Sequence, residues 1–289
     1  MKAPIIHVAL AMFAALAAMA GEDRVSCLFH EKARRDGNAS LCFEAELSNA
    51  QNSYRLSFSN LRAYAKDPQR FEMLVDNGLQ SGFTKLTSVF SLSVNGIDAR
   101  KLQPGRDAFR TWDGEHGERG VVFSLNFDGA RVDVRFSMKP GSPVLWGEIA
   151  KTADLPQLTP VSNAVVIVTA IPSFLDCASG RKTRFFGYAR QVRTSVRLLA
   201  LPPNRKEPLL PEDRFLIFED AEYDGSADGK GMGPSATWPL EQVQGTINLN
   251  DSWTTSVEYR PDPSRPFRFA LLEFRAKRVS NAEFLEAIR

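Results

Sequence analysis

The sequence predicts an all-β protein: a large antiparallel β-sandwich with a short C-terminal helix. The first observation is a repeated alternation of apolar and polar side chains over short segments, which is the pattern of half-buried strands. The second is that Pro and Gly residues separate these segments at short distances, as they do in sandwiches. The third is that helical periodicity is rare.

The alternation begins near the N-terminus. From Ser40 to Leu47, and again from Ser53 to Ser59, every second residue is a large or small apolar one. The segment Lys85–Val94 repeats the pattern and ends at Asn95-Gly96. Because both central residues of a type I′ turn need positive φ, Asn-Gly predicts a hairpin turn at this point.

The clearest unit is a hairpin in the middle of the chain. Its first arm is Val121–Phe127, its turn is Asp128-Gly129 and its second arm is Ala130–Met138. The second arm alternates charged side chains with bulky apolar ones, so we expect this hairpin in an antiparallel sheet that has one face in water.

Further segments are expected to be strands because they are apolar or alternating and end at Pro, Gly or polar residues. They are Val144–Ile149, Ala164–Ile171, Thr183–Tyr188, Val192–Leu201, Phe215–Phe218, Gly245–Leu249, Ser252–Tyr259 and Phe267–Phe274. The segment Pro202–Pro208 is expected to be a surface loop.

Two segments carry helical signals. Ser280–Ile288 opens with a capping box, in which Ser280 and Glu283 each accept a hydrogen bond from the backbone of the other. Asp67–Val75 is the second candidate, since its Pro68 suits the first turn of a helix.

Residues 1–20 are predicted to be a secretory signal peptide. Lys2 is followed by an apolar run that ends in Ala18-Met19-Ala20, an Ala-x-Ala cleavage site. Cleavage leaves a single domain, residues 21–289, which we expect to be secreted or periplasmic and to have no membrane span. The alternative is an uncleaved anchor, because the run approaches the ~20 residues that a span requires.

The charge balance excludes one class of partner. The chain has 36 basic and 34 acidic side chains and a formal net charge of +2. An exported chain this close to neutrality has no global field that attracts nucleic acid, so we expect no nucleic-acid partner.

An exported chain with an odd number of cysteines leaves at least one thiol over. Cys27 and Cys42 could form a disulfide near the mature N-terminus, which would contribute ~3 kcal/mol by restricting the unfolded chain. The sequence leaves that pairing open. Cys177 is expected to be a buried thiol that packs as a small hydrophobe.

An acidic, glycine-rich loop follows the strand Phe215–Phe218. Its spacing matches the first positions of a calcium-binding loop, with the ligand candidates Asp220, Glu222, Asp224 and Asp228. Glu222 departs from the Asp or Asn of that loop, and Gly231 replaces its final bidentate Glu. The sequence therefore allows a structural calcium site, and a solvated acidic turn is the alternative.

A basic segment lies between Arg181 and Arg197 and contains no acidic residue. Its arginines, Arg184 and Arg190 among them, are interleaved with aromatic residues, and guanidinium groups match carboxylate and sulfate geometry. An anionic glycan is the ligand that this segment could bind. The alternative is that these arginines face solvent on two adjacent strands.

A Gly-rich turn from Arg110 to Arg119 holds the candidate sugar-binding residues Trp112, Asp113, Glu115 and His116. An indole can stack on a sugar ring while the other groups make polar contacts or transfer a proton. A turn between strands would have much the same composition. A glycan-cleaving enzyme would need two carboxyl groups ~5–9.5 Å apart, which Asp113 or Glu115 could form with Glu219 or Asp220.

Two stretches carry a resemblance to a known family. Val94-Asn95-Gly96 and the segment Val132–Trp146, with Lys139-Pro140-Gly141-Ser142-Pro143-Val144, resemble the sandwiches related to galactose mutarotase and the sandwich domains of some glycoside hydrolases. Gly233-Pro234 and Trp238-Pro239 fit that layout. The resemblance implies a large antiparallel sandwich and a role connected with carbohydrate.

One departure from that family concerns its activity. Mutarotases use paired histidines and an acid, whereas the mature chain has only His30 and His116. No catalytic residue is therefore carried over. The sequence predicts an exported carbohydrate-binding sandwich; the alternatives are a glycan-cleaving enzyme that uses loop carboxylates and a non-catalytic structural protein of the envelope.

Overall fold

The computed structural model describes most of the chain. The described ranges are 24–31, 39–61, 70–77, 90–102, 104–151, 159–170, 173–175, 185–187, 191–200, 205–219, 235–249, 255–274 and 279–289. The predicted signal peptide, residues 1–20, lies outside them. Within them, no helix combines the length and the apolar character that crossing a membrane requires.

The described residues form short strands and one α-helix, α1, at Asn281–Ala287. The strands, in chain order, are β1 (Ser26–Glu31), β2 (Ala39–Ser48), β3 (Ser53–Leu61), β4 (Arg70–Asn77), β5 (Phe90–Val94), β6 (Ile97–Asp98), β7 (Phe109–Asp113), β8 (Arg119–Phe127), β9 (Ala130–Met138), β10 (Leu145–Lys151), β11 (Ala164–Ala170), β12 (Ser173–Leu175), β13 (Phe185–Gly187), β14 (Gln191–Thr194), β15 (Leu198–Ala200), β16 (Arg205–Pro208), β17 (Leu216–Glu219), β18 (Ser235–Pro239), β19 (Gln244–Leu249), β20 (Thr255–Arg260) and β21 (Phe267–Glu273).

These strands build large antiparallel sheets, which confirms the predicted fold class. The main sheet has nine strands in the order β15-β14-β17-β18-β21-β10-β9-β8-β7. The back sheet has six, in the order β16-β19-β20-β11-β5-β6, and the N-terminal sheet is β1-β2-β3-β4. The strands β12 and β13 form a separate pair.

The principal core lies between the main sheet and the back sheet. The ring of Phe90 in β5 packs edge-on against Phe136 in β9, with centroids 5.4 Å apart, and stacks on Phe269 in β21 at 5.7 Å. Gly147 in β10 makes room for this stack, because a Cβ atom at that position would lie 2.3 Å from the Phe269 ring. All three phenylalanines are buried. Interlocked rings of this kind fix how the two sheets sit on each other.

The N-terminal sheet adds buried side chains to the same core, among them Leu47, Tyr54 and Leu56. Its β2–β3 turn also holds the connection between β9 and β10. Asn49 Nδ2 donates to the carbonyl oxygens of Lys139 (2.9 Å) and Ser142 (2.7 Å), and the Tyr54 hydroxyl donates to that of Pro143 (2.8 Å). These bonds hold the β9–β10 connection in place.

Helix α1 covers part of the outer face of the main sheet, the face turned away from the back sheet. The predicted capping box is present: the Ser280 hydroxyl accepts from Glu283 N at 3.1 Å, and Ser280 N donates to the Glu283 carboxylate at 2.7 Å. Phe284 is fully buried against Phe215 and Trp238. A second, smaller core thus forms under the helix.

Both predicted turn dipeptides are confirmed. Asn95 and Gly96 between β5 and β6 have φ of 51° and 79°, and Asp128 and Gly129 between β8 and β9 have φ of 52° and 89°. Two successive positive φ values are what a type I′ turn requires, which explains why Asn-Gly and Asp-Gly stand here.

Three predictions about secondary structure are wrong. The segment Asp67–Val75 does not form a helix where the structure describes it, because β4 pairs with β3 along its whole length. Val192–Leu201 is two strands, β14 and β15, since the Thr194 hydroxyl accepts from Arg197 N (3.0 Å) and closes a tight turn. Within the predicted loop Pro202–Pro208, Arg205–Pro208 forms an edge strand, where the missing N–H of a proline is tolerated.

The disulfide between Cys27 and Cys42 is also incompatible with the fold. Cys27 lies opposite Leu47 in the β1–β2 pair, so Cys42 is five residues further along β2. That offset is about 17 Å along a strand, whereas a disulfide joins Cα atoms less than ~7 Å apart. Cys27 is a free thiol that lies 3.5 Å from the Gly120 carbonyl oxygen, and burial raises its pKa. Cys177 lies outside the described residues.

Candidate functional site

Tryptophans from distant parts of the sequence meet in one row across the main sheet. Strand register places a single line of outward-facing residues side by side on β7, β8, β9, β10, β21 and β18. We call this line the tryptophan row; its members are Trp112, Gly120, Ser137, Trp146, Ala270 and Trp238. Small residues separate the three large rings along the row.

The three rings differ in their exposure. Trp238 is buried, with Phe284 of α1 edge-on to it at 5.2 Å. Trp146 lies edge-on to Trp238, with centroids 6.3 Å apart, and is only partly buried. Trp112 at the far end is also partly buried. The row therefore presents two rings to solvent, about 14 Å apart by strand spacing.

A cation lies against each of these two rings. The Arg135 guanidinium carbon is 4.1 Å from the centroid of the Trp112 ring, and the Lys139 ammonium is 4.9 Å from that of Trp146. Arg135 is in turn held by Glu148, with Nη2 2.9 Å from the carboxylate. Cation–π contacts and an ion pair on one rigid sheet hold the Trp112 ring in a fixed orientation.

The centre of the row is closely packed. Gly120 is required there, because a Cβ atom would lie 2.1 Å from the Phe136 carbonyl oxygen of the next strand. The Ser137 hydroxyl donates to the Glu118 carboxylate at 2.6 Å. Gly120 and Ser137 are themselves buried; the half-buried polar side chains around the two rings are Glu118, Arg135 and Glu148. We call the two rings and these side chains the platform.

A second polar network continues down the same face. Ser124 donates to one oxygen of the Asp133 carboxylate at 2.6 Å, while Arg110 contacts the other at 3.0 Å and donates to the Ser124 hydroxyl at 2.9 Å. These side chains hold one another in place along β7, β8 and β9.

The predicted sugar-binding residues of the β7–β8 turn do not form one cluster. Trp112 points outward, but its neighbour Asp113 lies on the opposite side of the sheet, because successive side chains of a strand alternate. Asp113 accepts a hydrogen bond from Arg119 Nε at 2.7 Å, which raises the pKa of Arg119.

Glu115 and His116 occupy the exposed tip of that turn. His116 has φ of 54°, and Gly117 after it has φ of 78°. A Cβ atom on Gly117 would lie 3.1 Å from the Pro140 ring, so the tip rests beside the β9–β10 connection. The structure places both residues next to the platform, not on it.

A cavity of about 360 Å³ opens beside the first residue of β7, where β8 runs on beyond its partner strand. We call it the notch. Strand β7 pairs with residues 119–123 of β8, whereas β8 runs on to Phe127. The segment 104–108 borders the open end. Polar lining comes from Asp107, Ser124, Asn126 and Arg131, and apolar lining from Leu102 and Pro104.

A second cavity, of about 370 Å³, lies at one end of the sandwich between the connections 209–214 and 239–243. Beneath it, the buried Asp213 carboxylate accepts from Arg197 Nη2 at 2.6 Å and from Leu210 N at 2.9 Å. Burial alone would raise the pKa of Asp213, but the hydrogen bonds from Arg197, Leu210 and Thr194 together hold it below its ordinary value. The Asp213 carboxylate therefore holds the connection 209–214, which forms one wall of this cavity, in place.

The other predicted site residues lie outside the described part of the chain. They are Arg184 and Arg190 of the basic segment and the calcium candidates Asp220, Glu222, Asp224 and Asp228. Among the residues that the structure describes, no three side chains of His, Cys, Asp or Glu converge as a metal site would require.

Sequence reasoning missed most of the platform. Glu118, Arg135, Glu148 and Trp146 are outward-facing by the period-two rule, so their side of the sheet was readable from the alternation. The alternation does not show that these side chains lie close together, because that depends on the register of β8, β9 and β10.

Comparisons with known proteins give structural similarity alone. No family model and no curated protein matches the chain. Among solved structures, it is similar to an alpha-galactosidase from Lactobacillus brevis (10% identity, TM-score 0.37), with 86% of this chain and 40% of that one covered. It is also similar to an alpha-N-acetylgalactosaminidase from Bifidobacterium bifidum (9% identity, TM-score 0.43), with 88% and 36% covered.

A third similar structure is a proposed aldose 1-epimerase from Klebsiella pneumoniae subsp. pneumoniae (11% identity, TM-score 0.38), with 91% of this chain and 90% of that one covered. The chain spans about two fifths of the length of the alpha-galactosidase. The similar structures include glycoside hydrolases and an aldose 1-epimerase, the classes of protein that the sequence resembles; at TM-scores below 0.5 these similarities carry no argument about this chain. We therefore infer a function only from the residues of this chain.

Proposed function

We propose that this chain is an exported protein that binds carbohydrate on the outer face of its main sheet. The observation that carries the proposal is the tryptophan row, in which Trp112 and Trp146 are partly exposed on one rigid platform. Export rests on the predicted signal peptide.

The chemistry of the platform suits a sugar. The C–H faces of a pyranose ring are apolar and pack on aromatic rings, while its hydroxyl groups need hydrogen-bond partners around the edge. Here Arg135, Glu148 and Glu118 stand beside the rings and are already held by partners of their own. Polar groups that are fixed before a ligand arrives lose little conformational entropy when they bind it.

The spacing of the two rings favours a chain of sugars over a single one. About 14 Å separates Trp112 from Trp146 by strand spacing, and the half-buried polar side chains of Glu118, Arg135 and Glu148 stand beside the rings. We therefore expect an oligosaccharide or polysaccharide that lies along the row.

The test is a glycan-array screen of the mature protein, run in parallel with Trp112→Ala. We expect saturable binding to a subset of glycans, and loss of that signal in the variant. Leu28→Ala is the matched control, because Leu28 is a 59% exposed apolar residue of β1 outside the row. No binding to any glycan, or equal binding by Trp112→Ala, would overturn the proposal.

The same incubations can be assayed for new reducing ends. We expect none, because the acidic groups of the platform hold neighbouring side chains in place. Release of reducing ends by the mature protein would instead identify the glycan-cleaving enzyme that the sequence left as an alternative.

A further inference from the structure

The notch beside the start of β7 contains an arginine, Arg131, whose pairing differs from that of the other arginines of the outer face. Two other arginines of this face are each paired with a carboxylate: Arg110 with Asp133 at 3.0 Å, and Arg135 with Glu148 at 2.9 Å. Arg131 lines the notch and is exposed, and no carboxylate of the described residues lies within ion-pair distance of it.

The neighbour of Arg131 is a hydrogen-bond donor. Asn126 lies opposite Arg131 in the β8–β9 register. Its Oδ1 accepts from Gly129 N at 2.7 Å, which fixes the amide and leaves Nδ2 to donate. An amide N–H₂ and a guanidinium side by side present several donors to one anionic group.

We propose that the notch binds the carboxylate of an acidic sugar residue, a uronic acid, within the glycan that lies on the platform. This inference rests on the proposed function and names the substrate class for it. The Arg131 guanidinium matches a carboxylate with two parallel N–H donors. The cavity volume of about 360 Å³ falls in the range of small-ligand sites, and its apolar walls, Leu102 and Pro104, suit the C–H face of a sugar ring.

The notch lies to one side of the tryptophan row, along the strand direction. Arg131 is six residues from Ser137 along β9, which is about 20 Å, and both side chains face outward on the same strand. Because the row runs across the strands, a glycan that occupies the row and the notch together has to turn or branch between them. Asp107 on the rim contributes the opposite charge, so it should weaken the binding of an anion.

The experiment compares two ligands that differ only in charge: a hexamer of uronic acid residues and its carboxyl-reduced, neutral form. Affinities are measured by isothermal titration calorimetry with the mature protein at physiological salt. We expect Arg131→Ala to weaken binding of the acidic hexamer at least tenfold and to leave the neutral hexamer unchanged. Asp107→Asn should strengthen binding of the acidic hexamer alone.

Arg214→Ala is the matched control, because Arg214 is an exposed arginine that lines the other cavity. Arg131→Lys keeps the positive charge but lacks the paired N–H donors of the guanidinium, so its affinity for the acidic hexamer should fall between those of the wild type and Arg131→Ala. Equal losses in Arg131→Ala and Arg214→Ala would show a general effect of net charge and would overturn the inference.

The two proposals fail differently. If both hexamers bind equally and depend on Trp112, the platform stands and the notch inference is wrong. If neither ligand binds, and the glycan array is also empty, the carbohydrate proposal fails and the notch inference fails with it.

Discussion

Replacing Arg197 by alanine should strongly destabilise the fold, although Arg197 lies far from the tryptophan row in sequence. The Asp213 side chain is fully buried, with 0% of its surface exposed, and Arg197 meets it through Nε at 3.2 Å and Nη2 at 2.6 Å. Nη2 also donates to the Pro208 carbonyl oxygen at 2.6 Å. The arginine thus joins the β14–β15 hairpin to the connection between the back sheet and the main sheet.

The expected magnitude follows from leaving a buried charge without its partner. Breaking a buried ion pair from one side costs about 3–5 kcal/mol. Asp213 would keep the hydrogen bond from Leu210 N, so we expect the lower end, about 3 kcal/mol. For a domain of this size each kcal/mol shifts the midpoint by about 2–4 °C, which gives a drop of about 6–12 °C.

The loss should depend on pH in a definite direction. The pKa of Asp213 is lowered in the folded state, so its contribution to stability is complete above the unfolded pKa of about 3.9 and is lost as the pH falls through the folded value. Once the Asp213 carboxyl is protonated, Arg197 contributes less to the free energy of unfolding. The difference between wild type and Arg197→Ala should therefore be largest near pH 7 and shrink below pH 4.

Urea unfolding of both proteins at pH 7 and at pH 3.5 measures this difference. The control is Arg265→Ala, because Arg265 is 70% exposed and its partner Asp262 is 50% exposed, a pair that should contribute little. Arg197→Ala within ~0.5 kcal/mol of the wild type at pH 7, or a loss that stays the same at both pH values, would refute the reasoning.

Three further outcomes are expected. Gly120→Ala should cost about 1–3 kcal/mol in thermal unfolding, because its Cβ would meet the Phe136 carbonyl oxygen at 2.1 Å; an unchanged midpoint would show that β8 and β9 can separate there. Tyr259→Phe should be neutral or should stabilise the fold by about 1 kcal/mol. The phenol is buried, which raises its pKa, and its hydroxyl makes no well-formed hydrogen bond within the described structure, so removing the hydroxyl leaves no partner unsatisfied. A loss of more than about 1 kcal/mol would instead show a hydrogen bond to Thr237. If the acidic loop binds calcium, the metal should raise the unfolding midpoint of the wild type and not of Asp224→Ala, and midpoints that ignore millimolar calcium would identify a solvated turn.

Local pattern was sufficient for much of the fold. The hairpin from Val121 to Met138 was readable because alternation and an Asp-Gly turn agree with each other. The capping box of Ser280 and Glu283 was readable for the same reason, since both partners are close in sequence. The mistake at Asp67–Val75 shows the limit of local signals: Pro68 suggests a helix start, but pairing of β4 with β3 decides the structure.

The site depended on information that a single sequence does not contain. Trp112, Trp146 and Trp238 are far apart along the chain, and only the strand order and register bring them into one row. Trp112 was predicted as a binding residue together with Asp113, yet the two face opposite sides of the sheet. The alternation rule could have separated them, whereas the partners Arg135 and Glu148 required the pairing of β9 with β10.

The most direct test of the central claim is the affinity of one bound glycan for a short series of variants at the Trp112 ring. Calorimetry on the best array ligand should show about a tenfold loss for Trp112→Ala, a smaller loss for Trp112→Phe, which keeps an aromatic face, and no change for Leu28→Ala. Unfolding midpoints measured alongside should stay close to the wild type. A Trp112→Ala protein that is folded and binds the glycan as tightly as the wild type would contradict the assignment of the tryptophan row as the binding surface.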